Sequence, residues 1–501
     1  MNPKVLCYGV RTTAGTFENH PPNLSEGSVL RDEAIKAIFE PESIAIVGVS
    51  RDPEKVGYLI LKNLVQTGFK GNLYPVNPKV REILGLNTYS SVEEISEPVD
   101  LAVIVVPAPT VPEVLKQCGR KKVKSAVVIS GGFRETGKEG EELEKILIQI
   151  IRETGIRLVG PNCIGVDNPH IGMSMWVGVK KKGPIGIVTQ SGLVGTALEC
   201  WAEKEGIGVS KCISLGNKVD VDEIDLLRYL ADDEYTRAIA IYVEGIDHGR
   251  EFIQAASEVS RKKPIIALKG GRSKLGVRAA SSHTRSLSGR AEVYEAAFRK
   301  SGILTANSLE ELYDFAKALS FLPLPKGRGA LIVTSSGGAG ILASDLADKL
   351  RLELPSISER AEKRLRQQLP SHCVFNNPFD VTTTTSEAFQ LVMEENITDE
   401  EINAFIPIFA DPLPRAAEAV KRIVEKTDKP VVVCYVGGAD VEEREKEKMH
   451  AIGIPVFPSP ERAVTAFYAL VERYESLMRL QTSNEQLENR RSLQVSRSFQ
   501  T

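Results

Sequence analysis

Several things are scarce in this sequence, and each scarcity removes a class of function. Its 501 residues contain only seven cysteines, scattered and with no Cys-x-x-Cys pair. That excludes a disulfide scaffold or a thiolate zinc site and fits a reducing, cytoplasmic setting. The longest apolar runs, such as Leu101 to Val106, are of strand length, far short of the about 20 residues of a membrane helix. The N-terminus lacks the apolar centre of a secretory signal. An excess of either charge is missing too: 63 Lys and Arg stand against 66 Asp and Glu, for a net charge of −3. Nothing in that balance favours nucleic acid or an anionic membrane as a partner. Histidine is also rare, with six in all, so the position of each is informative.

What is present is a globular composition, 42% apolar, and a length that suits about three domains of roughly 150 residues. Short β-branched runs ("SIAIVGVS", "LAVIVVP", "SAVVIS", "AIAIYVEG", "ALIVTSS", "PVVVCYVGG") alternate with helical patterns. Continuous apolar strands alternating with helices predict an α/β class with parallel sheets covered on both faces. Residues 1–30 read as a loose leader, and 476–501 as a polar tail.

The middle and last thirds repeat one another. "IVTQSGLVG" at 187–195 matches "IVTSSGGAG" at 332–340, Lys263-Pro264 matches Lys429-Pro430, and "GILTANSLE" from Gly302 matches "GIPVFPSPE" from Gly453. Two copies of one α/β unit are therefore expected, at 166–325 and 326–475, after a separate unit at 31–165. The copies differ in one place. Gly271 and Gly302 are 31 residues apart, whereas Gly438 and Gly453 are 15 apart. The longer spacing contains "RAASSHTRSLSG" at 278–289, a small, polar, basic stretch around His283. Insertions on a repeated scaffold tend to be functional. His450, in the charged helical segment "EEREKEKMHAIG", has no such loop.

In the first unit, "ESIAIVGVSRDPEKVG" reads as strand, glycine turn and helix, but Gly48 and Gly57 do not make a GxGxxG fingerprint. The second strand ends in Val76-Asn77-Pro78-Lys79, where an NAD site would want an acid for the ribose hydroxyl. Lys79, with Arg51 and Lys55 in the first turn, favours a phosphorylated adenine nucleotide other than NAD.

Further candidates lie on the loops. Ser191-Gly192 follows a strand and opens a helix, so it reads as an N-cap whose first-turn N–H groups form a phosphate seat; a plain cap has the same pattern. Ser336-Gly337 repeats it. Glu244 ends its strand, at the edge where open α/β sheets bear their sites. Paired with His283, it would fix the ring tautomer and leave the other nitrogen neutral and nucleophilic. Arg278 and Arg285 flank that histidine and are able to hold phosphate oxygens. Asn162 in "GPNCIG" offers a donor and an acceptor; Cys163 beside it reads as a buried thiol.

Together, "ESIAIVGVSRDPEKVG", "YPVNPK", "GPNCIG", "TQSG", "SLGNKVDVDEIDLLRYL", "AIYVEGI", "GGRSKLGVRAASSHT" and "GIPVFPSPERAV" resemble the NDP-forming acyl-CoA synthetases, on the branch of the α subunits of ADP-forming acetate–CoA ligases, related to succinyl-CoA synthetase α. The resemblance runs in order over about residues 35–475. It implies a Rossmann-like CoA-binding domain followed by two flavodoxin-like domains. It implies that His283 is transiently phosphorylated and that Glu244 bonds it. It implies CoA contacts at Gly48, Ser50, Arg51, Lys55, Pro75, Asn77, Lys79, Val106, Pro107 and Asn162, and phosphate on the helix opened by Ser191 and Gly192. The implied reaction converts acyl-CoA, phosphate and ADP to acid, CoA and ATP. The family binds ADP or ATP and Mg on an ATP-grasp module that this sequence lacks, so a separate β subunit is expected, in an α2β2 assembly.

One feature supports a rival expectation. The family loop reads SSHTG, but Arg285 replaces its glycine, a loss of backbone freedom that motivates a CoA-binding regulatory or scaffold protein as the alternative. A nicotinamide oxidoreductase is a third reading, opposed by the missing GxGxxG and the missing acid.

Overall fold

The apolar runs become strands buried on both faces, and they sort into three main sheets in a computed structural model that describes residues 24–278, 289–382 and 385–498. The first sheet is parallel, in the spatial order Asn72–Val76, Ser43–Val47, Leu101–Ile104, Ser125–Val128 and Arg157–Val159. The second has Lys182–Thr189 at its centre, with Val209–Ser214 on one side and Ala238–Val243, Ile265–Lys269 and Leu304–Ala306 on the other. The third repeats that order with Phe379–Asp380, Ala330–Thr334, Ala404–Phe409, Val433–Tyr435 and Val456–Phe457. Each sheet runs second, first, third, fourth, fifth along the chain. In each, the winding reverses between the first and third strands, and a crevice opens beyond their carboxyl ends. The repeat read from the sequence is therefore a repeat of topology.

The second sheet is not purely parallel, contrary to expectation. Val166–Asn168 pairs antiparallel with Val209–Ser214, and Met173–Ser174 extends that edge. This short hairpin brings the chain from the first unit onto the second sheet. Apolar side chains of the first two sheets, such as Ile46, Val103, Ile213 and Ile241, share one core, and those of the last two, such as Ile187, Ile266, Ile332 and Ile408, share another.

Helix reaches into both ends: residues 24–30 of the expected leader are helical, and so is the polar tail as far as Ser498. A helix begins at Leu24 and runs to Phe39, because Ile35, Ile38 and Phe39 recur at helical spacing and are buried against the first core. Asn168 Nδ2 ties that helix down by donating to Phe39 O at 2.9 Å. The polar tail is likewise the end of a long helix, Pro460–Ser498, whose first half buries Val464, Phe467 and Leu470. Among the described residues no helix is long and apolar enough to cross a membrane.

Two buried polar features involve the second unit. Arg157, on the edge strand of the first sheet, donates through Nε to Asp220 at 2.8 Å and through Nη2 to Asp225 at 2.6 Å. The other is a pair of buried acids. Asp167 of the short hairpin and Glu199 of the helix Gly192–Lys204 are both fully buried. Burial, and then the neighbouring Asp167, pushes the Glu199 carboxyl well above the usual range. The fold therefore keeps a proton that the unfolded chain releases near pH 4 (about 4.3 for a free Glu). A raised carboxyl contributes stability below the unfolded value and loses it as pH rises through the folded value. Stability should thus fall as pH rises past the unfolded value, with a slope of up to about 1.4 kcal/mol per pH unit for one proton. Glu199→Gln, isosteric and neutral, should flatten that slope in urea unfolding; an unchanged slope would refute the proton retained on Glu199.

Candidate functional site

The crevice of the first sheet and that of the second open into one cleft of about 1120 Å³. Its first wall is the turn after Ser43–Val47. Gly48 there has φ +97°, and a side chain at that position would meet Val105 O at 2.7 Å, so glycine alone lets the two strand ends come this close. Ser50, Lys55, Asn77, Lys79, Pro107 and Asn162 line the cleft with it. Asn77 holds its own turn: Nδ2 donates to Val49 O at 2.6 Å, and Oδ1 accepts from Lys79 N at 2.8 Å. Lys55 and Lys79 are exposed and put positive charge at this end, while Ile129, Ile164 and Trp176 give the cleft an apolar stretch.

Three residues expected in the same role do not line the cleft. Arg51 is drawn aside by a bond from Nε to Glu82 O at 3.3 Å. Pro75 is buried inside its strand. Val106 is half-buried, and its carbonyl accepts from Ser130 Oγ at 2.5 Å. Cys163 does reach the lining, but its sulfur donates to Val128 O at 3.3 Å. Burial pushes its thiol up to about 12, so it is protonated and inert at neutral pH, as expected from the sequence.

The opposite wall is Ser191 and Gly192 at the start of the helix Gly192–Lys204. The serine holds the N-cap position, but its hydroxyl makes no capping bond. The peptide is set instead by Thr189, whose Oγ1 donates to Ser191 O at 2.8 Å and accepts from Ser191 N at 3.0 Å. The first-turn N–H groups therefore keep their capacity for an anion, favoured by the dipole. Thr334 and Ser336 repeat this pair of bonds, each at 3.0 Å. That second seat lies outside the cleft, and the Asp380 carboxylate stands beside Gly337. A carboxylate there opposes a bound dianion, so Ser336-Gly337 is the weaker phosphate candidate.

Glu244 follows the strand Ala238–Val243, at the crevice edge of the second sheet. It is 7% exposed. Oε1 accepts from the Tyr242 hydroxyl at 3.4 Å, a phenol that burial, and then Glu244 itself, pushes up to about 12. Oε2 is buried and has no partner among the described residues. Lys269 Nζ donates to the Glu244 carbonyl at 2.9 Å. His283 and Arg285 lie outside the described residues, in the stretch between Arg278 and Gly289.

Sequence reading missed the polar groups that connect these walls. Gln190 lines the cleft and accepts through Oε1 from the N–H groups of Glu244 and Gly245, at 2.7 and 3.1 Å. Asn217 also lines it and donates to Glu135 at 2.7 Å and Glu144 at 3.0 Å, both on the first unit. Lys218, next in the chain, donates to Glu223 at 3.2 Å and to Gly245 O at 2.8 Å. The only local signal was the polar "TQSG" and "GNK" runs just beyond strand ends.

Comparisons with known proteins agree with this layout. A CoA binding domain model matches residues 42–169, a succinyl-CoA ligase like flavodoxin domain model 182–319, and a ligase-CoA domain model 330–475. The α subunit of acetate–CoA ligase [ADP-forming] II of Pyrococcus furiosus is 42% identical over 449 residues, covering 88% of this chain and 98% of the relative. Acetate–CoA ligase [ADP-forming] I of Archaeoglobus fulgidus is 41% identical, and the match spans 91% of this chain but 66% of that longer relative. Among solved structures, the dinucleotide forming acetyl-coenzyme A synthetase 1 of Candidatus Korarchaeum cryptofilum, in complex with phosphate and ADP, superposes with a TM-score of 0.84 at 36% identity, over 90% of this chain and 99% of that one.

Proposed function

This chain belongs to the ADP-forming acetate–CoA ligases as an α subunit, and from that premise we propose that its cleft carries acyl-CoA and phosphate to a phosphohistidine at His283. The observation that supports this most is the unpartnered, buried Oε2 of Glu244, at the same switch point as the Ser191–Gly192 helix terminus. A buried carboxylate oxygen without a partner is costly, and an imidazole N–H is the group that would satisfy it.

In this reading Lys55 and Lys79 hold the phosphates of CoA, and the apolar stretch directs its thioester toward Ser191 and Gly192. Phosphate held by the first-turn N–H groups attacks the acyl carbon; the C–S bond breaks, and the thiolate leaves as CoA. The second ring nitrogen of His283 then attacks phosphorus, and the acid leaves as a carboxylate. Glu244 accepts the other ring N–H throughout and offsets the positive charge growing on the ring. Finally the β-phosphate oxygen of ADP attacks phosphorus, the P–N bond breaks, and ATP forms.

The nucleotide and Mg²⁺ belong, in this proposal, to a separate ATP-grasp β subunit in an α2β2 assembly. The relatives support it. The two Pyrococcus furiosus relatives named subunit alpha are matched nearly end to end, whereas the Archaeoglobus fulgidus relative, whose name carries no subunit, extends well beyond the match. Among the described residues no group of three or more His, Cys, Asp or Glu stands ready to hold a metal ion. A cytoplasmic location completes the reading, in keeping with six unpaired cysteines among the described residues. The ligase names of the relatives favour turnover over the regulatory alternative.

The test is to incubate the chain and its β subunit with radiolabelled ATP and Mg²⁺. Acid-labile, base-stable label should appear on His283, discharge with ADP, and be absent from His283→Asn. An unlabelled wild-type complex would refute the reading.

A further inference from the structure

At the switch point of the second sheet, the strands Lys182–Thr189 and Ala238–Val243 part company. Beyond the last paired residues, Thr189 and Tyr242, the ladder has no further rungs. The backbone groups of Glu244 and Gly245 would then lack strand partners just where the carboxylate must be held. Gln190 supplies them. Its Oε1 accepts from Glu244 N at 2.7 Å and Gly245 N at 3.1 Å, and its Nε2 donates to Gly245 O at 2.7 Å and to Glu223 Oε1. Both amide ends are fully used, and the partners dictate the orientation: N–H groups face the oxygen, acceptors face the nitrogen. Lys218 braces the far side through Glu223 and Gly245 O. Because Gln190 immediately precedes Ser191, one residue ties the glutamate to the helix terminus.

We propose that Gln190 is a positioning residue for phosphoryl transfer, strapping Glu244 in register with the Ser191–Gly192 seat through a backbone-mimicking amide. This rests on the phosphohistidine reading above. Gln190 neither touches the transferred group nor titrates; its work is done through Glu244. An amide is required, because a carboxylate in its place would meet Glu223 Oε1 and Gly245 O with negative charge. The other charged groups around the strap are Lys218 and Asp247, Lys269 at the end of the adjacent strand, and the Glu244 side chain itself. Tyr294, from the helix Ala291–Ser301, holds Ile246 N through its hydroxyl at 2.9 Å.

The experiment uses the complex with the β subunit and follows His283 labelling from acetyl-CoA and radiolabelled phosphate by rapid quench, with CoA binding measured by calorimetry. Gln190→Met should slow labelling about 100-fold, the scale of an ångström-sized misplacement, a far larger factor than any loss of CoA affinity at this cleft-lining position. Gln190→Glu should be slow at neutral pH, but its rate relative to wild type should climb as pH falls. Protonation of the introduced carboxyl restores a group that accepts both N–H bonds and donates to Glu223. A merely structural role would give a flat ratio. The proposal is overturned if either variant labels at the wild-type rate, if the Gln190→Glu ratio is constant with pH, or if CoA affinity falls in parallel with labelling. Failure of the wild-type complex to label refutes the underlying reading instead, so the two failures are distinguishable.

Discussion

Glu244→Gln should slow the proposed phosphorylation of His283 by about 10²–10⁴-fold, the range for a group that assists proton placement in the transition state, while leaving CoA affinity untouched. The affinity is spared because Glu244 does not line the cleft. The rate suffers for two reasons. A neutral amide cannot offset the charge that forms on the imidazole as nitrogen attacks phosphorus, and its NH₂ end competes for the place of the acceptor. Stability should move the other way. Oε2 is buried with no partner among the described residues, so the carboxylate is a cost to the fold that glutamine lowers. The variant should therefore unfold at an equal or higher urea concentration than wild type. Opposite movements of rate and stability are the signature of a group kept for function. Wild-type labelling kinetics in Glu244→Gln would remove the residue from the mechanism.

Arg157→Met should destabilise the chain by about 3–5 kcal/mol, the cost of removing one partner from a buried ion cluster. The guanidinium joins the edge strand of the first sheet to Asp220 and Asp225 of the second unit, at 2.8 and 2.6 Å. Asp220 also accepts from Leu158 N at 2.8 Å, so both side chain and backbone of the edge strand are pinned there. Methionine would leave two carboxylates, 15% and 17% exposed, without their countercharge. Urea unfolding followed by circular dichroism measures the loss. Adding Asp220→Asn and Asp225→Asn should recover part of it, since the stranded charges and not the lost contact dominate. A loss within the range of a surface pair, under about 1 kcal/mol, would show that the shared apolar core alone joins the two units. Because the cleft is lined from both, Arg157→Met should also weaken CoA binding.

These two residues were not equally readable. Glu244 could be picked out because a strand-end acid is a local pattern, and "AIAIYVEG" displays it within eight letters. Arg157 gave no such signal, since its partners are 63 and 68 residues away. Gln190 was hidden in plain view between Thr189 and Ser191, because its bonds reach 33, 54 and 55 residues along the chain. Local reading also could not show which residues line the cleft. Arg51, Pro75 and Val106 have the right neighbours in sequence, yet a bond to Glu82 O, burial in a strand and partial burial with a bond from Ser130 turn them from the cleft. Ser191 looked like a capping hydroxyl until Thr189 proved to hold that peptide.

By itself, the sequence determined the α/β class, the duplicated unit, the glycine turn at Gly48, the helix terminus at Ser191–Gly192 and the strand-end Glu244. Each depends on periodicity or on neighbours a few residues away, and short-range sterics and hydrogen bonding are encoded there. Only the tertiary structure decided that the two crevices merge into one cleft, that the second sheet carries an antiparallel edge, and that Gln190, Asn217 and Lys218 connect its walls. Those outcomes depend on how sheets stack and where neighbouring strands diverge, and contacts between residues dozens of positions apart leave no mark on either residue's own surroundings in the chain.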